Sequence, residues 1–250
     1  MVERVLELGF DRLGFSGHSP YTADTLGDYF MNPEIFAAYR KEILALKDEY
    51  RGRIKIYLGI EQDIISPKYD RSLTDYRIGS VHTVEVDGKH YEIDSSPKIT
   101  EQIINTYFGT DYDSMAENYF ALTEKIVALT DCEIIGHIDL ISKYNDIFGI
   151  SESERYLAAA ERAVKTLMPY GRPFEINTGA ISRGYRRSPY PSPAILKMIK
   201  DLGGSIAISS DCHSAAGLDC AFDKAEALAK AAGFDEYAVI GDGGIEYIKF

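Results

Sequence analysis

The sequence is poor in the residues and patterns that several large protein classes require. Three cysteines, Cys132, Cys212 and Cys220, are scattered over 250 residues. They are too few for a disulfide framework, and their scarcity points to a reducing, cytoplasmic setting. Basic residues are outnumbered, 27 Lys and Arg against 39 Asp and Glu, for a net charge of −12. That balance argues against long nucleic acids as partners, because they attract a basic surface. No apolar run approaches the roughly 18–20 residues of a membrane span, and no secretory pattern opens the chain. Internal repeats, low-complexity tracts and Pro- or Ser-rich linkers are missing as well, so one domain over residues 1–250 is expected. What remains, 45% apolar and 26% charged residues, is the composition of a globular protein with material for a sizeable core.

Short apolar runs at 13–16, 54–60, 77–82, 133–137, 174–177 and 205–209 read as strands, rich in Ile, Val, Phe and Tyr. Between them, 33–49, 112–129, 152–168, 193–202 and 222–232 carry apolar residues at helical spacing. Several of these stretches end at a glycine, as at Gly52, Gly171, Gly203 and Gly233, which signals a helix C-terminus. The alternation predicts an α/β fold with a parallel sheet covered by helices. The stretches 66–73, 83–98 and 178–193 read as irregular. Residues 2–8 read as a helix ended at Gly9, ahead of any strand. A barrel or doubly wound sheet usually begins with a strand, so the pattern is equally consistent with a missing first strand and with a helix as first element.

Four of the five histidines fall at or just past the end of an expected strand: His18 in GFSGHS, His82 in IGSVH, His137 in IIGHID and His213 in ISSDCH. Glu61, Asp139, Glu175 and Asp211 occupy comparable places. The C-terminal ends of parallel strands converge on one face, where ligands bind. Any one such histidine is more often structural than functional, but four at equivalent positions point to a site for zinc, manganese or iron. Six candidate ligands, His18, Glu61, His82, His137, Asp211 and His213, exceed the four of a structural zinc, which usually draws on cysteine. Carboxylates among histidines can bridge ions, and two-metal clusters are typical of phosphoester and amide hydrolysis. Cys212, between Asp211 and His213, is expected to point away from both by strand alternation. His90, in the acidic VDGKHYEID stretch, reads as a hairpin residue at the surface or the pocket rim.

Taken in order, LGFSGHSP, YLGIEQD, YRIGSVHTVEVDGKHYEID, GHIDL, EINTGAISRG and PYPSPAILKMIKDLGGSIAISSDCHSAAGL resemble the motifs of the polymerase and histidinol phosphatase (PHP) superfamily, most closely its histidinol-phosphatase branch. The resemblance spans nearly the whole chain. It implies a distorted (β/α)7 TIM-like barrel and two or three divalent ions per complete site. Carried over residue by residue, Glu61 bridges two ions and His82 and His137 complete one of them. Asp211 binds the second ion, and His18 with His213 holds a third. Glu61, His82, His137 and Asp211 are thereby the expected catalytic set, supporting attack of activated water on a phosphate monoester. Two departures stand out. Gly17 replaces the aspartate that commonly precedes the motif histidine, and no histidine precedes His18, where the family carries His-x-His on a first strand. That absence would remove two ligands from the second ion and one from the third.

Arg183, Arg186 and Arg187 cluster after the FEINTGA stretch, and arginine forks match phosphate geometry. Arg183 aligns with the family's phosphate-contacting arginine. Tyr21, Asp94 and Tyr185 are expected, from loop position alone, to meet the organic part of the substrate. The expected function is metal-dependent hydrolysis of L-histidinol phosphate in histidine biosynthesis. The alternatives are another PHP phosphoesterase acting on nucleotides or small monoesters, and a metal-binding remnant without turnover. A small phosphate monoester is the expected partner, with neither nucleic acid nor membrane. Oligomeric state is left open, a homodimer included.

Overall fold

Glycine, proline and short polar caps cut the chain into alternating helices and strands. The computed structural model describes residues 1–20 and 31–250. In chain order the elements are α1 (Val2–Glu7), β1 (Arg12–His18), α2 (Pro33–Glu49), β2 (Lys55–Asp63), β3 (Tyr76–Ser80), β4 (Thr83–Val86) and β5 (Lys89–Glu92). They continue with α3 (Pro97–Tyr107), α4 (Tyr112–Thr123), α5 (Ile126–Thr130), β6 (Ile134–Ile135), α6 (Asn145–Phe148), α7 (Glu154–Leu167) and β7 (Phe174–Asn177). The last are α8 (Gly179–Ser182), α9 (Pro193–Asp201), β8 (Ile206–Ser209), α10 (Phe222–Ala232), β9 (Glu236–Gly241) and β10 (Gly244–Lys249). Helices α2, α3 and α9 each start with a polar cap followed by proline: Asn32, Ser96 and Ser192 accept from Ile35 N, Ile99 N and Ile195 N. Proline at the first helical position loses no hydrogen bond, since its missing N–H would be unpaired there anyway.

Eight strands form one sheet in the order β1-β2-β3-β6-β7-β8-β9-β10, while β4 and β5 pair separately as a hairpin. All pairings in the large sheet are parallel except β9 with β10, so the expected α/β architecture is present. Several elements differ from expectation. The 83–98 stretch holds, besides the hairpin expected around His90, the start of α3, and the 178–193 stretch holds the short helix α8. The stretch 112–129 breaks into α4 and α5. The terminal β9–β10 hairpin was not anticipated, although Asp242-Gly243 between runs of Val, Ile and Tyr is a hairpin signal.

The outer face of the sheet and its helices share a core in which Tyr119, Phe120, Tyr156, Ile195 and Ile199 are fully buried. The inner face carries Tyr57, Tyr76, Ile78, Ile134, Ala207 and Ala238. Tyr76 crosses the inside of β2 and donates to Phe15 O at 3.1 Å. A Cβ at Gly59 would lie 2.3 Å from the Tyr76 ring and 2.8 Å from Phe15 O, so only glycine lets the tyrosine lie there. The sheet curls: Arg12 Nη1 donates to Ile240 O at 3.1 Å, and Lys55 Nζ and Tyr57 OH reach Asp242 at 2.8 and 3.0 Å. These contacts tie the N-terminal ends of β1 and β2 to the β9–β10 hairpin. Between the two sides lies a cavity of about 590 Å³ whose wall runs from Tyr57, Tyr76 and Ala238 to His18, Glu61 and His137. No described helix is long and apolar enough to cross a membrane.

One surface cap carries a pH dependence. Asp111 starts α4 by accepting from Asp113 N and Ser114 N at 3.0 and 3.3 Å and from Ser114 Oγ at 2.6 Å. Arg155 of α7 adds a contact at 2.9 Å. The Ser114 hydroxyl first, and the Arg155 charge next, lower its carboxyl to about 2. A depressed acid stabilises the fold above its unfolded pKa of about 3.9 and loses that contribution as pH falls through the folded value. Asp111→Asn keeps a capping residue but loses the charge. The melting-temperature gap between the two proteins is therefore expected to be full at about pH 5 and to close towards about pH 2. A gap independent of pH across that window would exclude the charge as its source.

Candidate metal centre

Parallel register assembles the centre. His18 of β1 is the direct neighbour of Glu61 on β2, and Asp63 is the neighbour of Ser80 on β3, two residues before His82. His137 follows β6, and Asp211 and His213 follow β8, all at the same end of the sheet. Gly136 allows the close approach beside His137, since a Cβ there would sit 2.9 Å from Gly79 O.

The Glu61 carboxylate is the hub. Oε1 lies 2.9 Å from His137 Nε2 and 3.1 Å from His82 Nε2, and Oε2 lies 3.4 Å from His18 Nδ1. The rings follow one another edge to face, with centroids 5.2 Å apart for His18–His82 and again for His82–His137. Glu61, His82 and His137 are 8%, 6% and 4% exposed. Burial by itself would raise the Glu61 carboxyl. The charges of His18 and His82 and hydrogen bonds to His137 and His82 outweigh it and hold the group well below the usual range. Burial likewise works against a charge on His82, and the neighbouring Glu61 charge and the Asp63 hydrogen bond more than reverse it. Imidazole nitrogens and carboxylate oxygens are donors suited to zinc, manganese or iron. Ligand atoms of His18, Glu61 and His82 lie within 4.8 Å of one another. This grouping draws His18 into the cluster that the family resemblance built from Glu61, His82 and His137.

Two carboxylates stand behind the cluster: Asp63, which nothing in the motifs marks, and Glu175, one of the strand-end acids. Asp63 Oδ2 meets His82 Nδ1 at 2.9 Å and accepts His82 N at 3.2 Å, while Oδ1 accepts Ile65 N at 2.9 Å. Alternation held the clue: Asp63 is two residues from Glu61 on one strand and shares its face. Glu175, noted only as acidic, accepts His137 N at 2.8 Å and Asn177 Nδ2 at 3.2 Å, and also takes the Ser209 hydroxyl. Its carboxyl is raised, first by burial.

Asp211 and His213 line the same cavity as His18, Glu61 and His137 but meet a different partner. Arg183 donates through Nη2 to Asp211 Oδ2 at 2.9 Å and through Nη1 to Asp211 O at 2.9 Å, with His213 Nδ1 3.1 Å from Nη1. Strand β8 ends at Ser209, so strand alternation does not set the direction of Cys212. A left-handed turn at Asp211, φ 43°, does so instead, and Cys212 packs beside the cluster containing Leu218. Arg186 leaves the expected arginine cluster: it donates to Ser142 O at 3.1 Å and lies 4.5 Å over the Tyr190 ring. Arg187 contributes its backbone N–H to Asp146 at 3.2 Å.

Asp94 and Tyr185 come together around Lys143, which no motif marks. Lys143 Nζ donates to Asp94 O and Oδ2 at 2.8 and 3.1 Å and stands 5.2 Å over the Tyr185 ring. Burial would raise the Asp94 carboxyl, but the charges of His82 and Lys143 lower it overall. His90 is half-buried on β5, with Nδ1 3.1 Å from Thr83 Oγ1. Tyr21 lies outside the described residues.

A curled, mostly parallel sheet with histidines and carboxylates at its strand ends defines a metal-site α/β barrel class. The PHP domain family model matches residues 1–179, and the chain belongs to that family. Among curated proteins, it is 27% identical over 235 residues to a probable histidinol-phosphatase of Schizosaccharomyces pombe, covering 85% of this chain and 74% of that one. Among solved structures, it superposes on a putative histidinol phosphatase of Listeria monocytogenes with TM-score 0.78, at 20% identity over 89% of this chain and 91% of that one. It also superposes on the Lactococcus lactis histidinol phosphate phosphatase solved with zinc, L-histidinol and phosphate. There the TM-score is 0.72 and the identity 22%, over 98% of this chain and 90% of the other.

Proposed function

We propose that the chain is a divalent-metal-dependent phosphomonoester hydrolase whose substrate is L-histidinol phosphate. One observation carries the reading: a buried carboxylate, Glu61, is shared by three imidazoles in a cavity that also receives Asp211 and His213. The likeness to histidinol phosphatases, one of them solved with zinc, L-histidinol and phosphate, supports the substrate. A cavity of about 590 Å³ is of the size that takes small ligands.

In this reading His18, Glu61, His82 and His137 hold one part of the metal cluster and Asp211 and His213 the other. Bound divalent ions supply positive charge to phosphoryl oxygens and lower the pKa of water. The chain's own groups do the rest. Arg183, anchored on Asp211, offers guanidinium N–H donors to the phosphate. Asp94, its carboxyl lowered by the charges of His82 and Lys143, and Tyr185 are the groups this reading assigns to the amine and imidazole of the alcohol.

The test is phosphate release by the purified chain with excess zinc or manganese, comparing histidinol phosphate, nucleoside monophosphates and glycerol phosphate. Histidinol phosphate is expected to lead by roughly tenfold or more in kcat/KM. Asp94→Asn is expected to shrink that lead while leaving glycerol phosphate hydrolysis nearly unchanged. Equal rates across the panel would point to a general phosphoesterase. No release with either metal would make the chain a metal binder without turnover.

A further inference from the structure

The three imidazoles around Glu61 are not equivalent, and their backing partners differ. His82 presents Nε2 to Glu61 at 3.1 Å and turns Nδ1 onto Asp63 at 2.9 Å. His137 also presents Nε2 to Glu61, at 2.9 Å. Its Nδ1, however, is buried without a hydrogen-bond partner among the described residues. Asp63 is 1% exposed, and both of its oxygens are committed, one to His82 and one to the backbone N–H of Ile65. Ser19 Oγ holds the backbone of Asp63 in turn, donated to by its N–H at 3.2 Å. The carboxylate therefore has no rotational freedom to abandon His82.

We propose that Asp63 is a positioning residue that fixes His82 as the Nδ1–H tautomer, leaving Nε2 as the lone-pair nitrogen and making His82 the anchoring ligand of the centre. The inference rests on the proposal that this cluster holds a divalent ion. A carboxylate behind a ligand histidine orients the ring and raises its basicity. The other tautomer would place a proton on the nitrogen facing Glu61 and remove it from any ligand set. His137 has no such carboxylate on its Nδ1 among the described residues; Glu61 holds its Nε2, and the rings of His82 and Tyr190 pack against it edge to face.

Asp63→Asn is the informative substitution because it preserves shape. An amide offers one oxygen where the carboxylate used two. If the NH2 end faces His82, the ring must accept at Nδ1 and carry its proton at Nε2. If it faces Ile65, two N–H donors collide. Zinc affinity of the parent and variant is to be measured by chelator competition, with the folded fraction checked by circular dichroism. The variant is expected to bind zinc about 10–100-fold more weakly. A second measurement needs no variant: nitrogen-15 spectra of histidine-labelled, zinc-loaded parent protein are expected to show His82 protonated at Nδ1 and metal-bound at Nε2. Zinc affinity of a folded Asp63→Asn within about twofold of the parent, or a His82 coordinated through Nδ1, would overturn the inference. A parent chain that takes up no zinc at all would instead sink the metal-site reading beneath it.

Discussion

Glu61→Ala is expected to abolish phosphatase activity and tight zinc binding together. The loss in kcat/KM should be about a thousandfold or more, equivalent to roughly 4 kcal/mol of transition-state stabilisation. The carboxylate meets His18, His82 and His137 at once, so its removal dissolves the cluster rather than trimming it. It also leaves three imidazoles whose shared carboxylate is gone, with Asp63 and Glu175 only behind them. Breaking a buried charged group by deleting one partner is strongly destabilising, because the remaining groups have lost access to water. Glu61→Gln separates the two effects. It retains the volume and one acceptor oxygen but removes the charge, so the fold should survive while zinc uptake fails. Metal analysis after dialysis, a melting curve and phosphate release on the same preparations decide the matter. A folded Glu61→Gln protein that retains stoichiometric zinc and parental turnover would show that Glu61 is not the hub.

The sequence made the four strand-end histidines legible because topology does the placing: parallel strands deliver their last residues to one face whatever their exact bounds. Strand β6, for example, is only Ile134–Ile135, yet His137 still reaches Glu61. The helices at Pro33 and Pro193 were equally legible, since cap and proline mark their starts locally. What the sequence hid were pairings set by tertiary contact. Lys143 lies in an unremarkable stretch after GHIDL, and only the approach of the segment following β5 brings it to Asp94. Arg183 and Arg186 are three residues apart just after α8, with the left-handed Gly184 (φ 77°) between them, yet one goes to Asp211 and the other to Tyr190. Charge clustering in sequence did not translate into charge clustering in space. The Asp211–His213 segment shows a further limit: strand alternation ends with β8 at Ser209, and a left-handed residue, Asp211, follows.

Arg183 and His137 are expected to fail in different ways when removed. A guanidinium carries five N–H donors in a planar fork, and three of its contacts hold Asp211 and His213 in place. Arg183→Ala therefore takes away the cation nearest the Asp211 side of the cavity and the group best shaped to grip a phosphate. Hydrogen bonds to charged groups contribute about 1.5–3 kcal/mol, so KM for histidinol phosphate should rise by about 10–100-fold. Turnover at saturation should fall less, because the Glu61 cluster is intact. Arg183→Lys should recover only part of the loss, since a point charge cannot reproduce the fork. His137→Ala acts at the hub itself, removing the 2.9 Å contact to Glu61. It should lower kcat by about a thousandfold with little change in KM, the signature of an interaction that matters in the transition state. Adding guanidinium ion to Arg183→Ala is expected to restore part of the affinity, whereas imidazole added to His137→Ala must reach a site only 4% exposed in the parent. Equal loss of turnover in the two variants, with KM unchanged in both, would place Arg183 within the metal machinery and remove it from the phosphate grip.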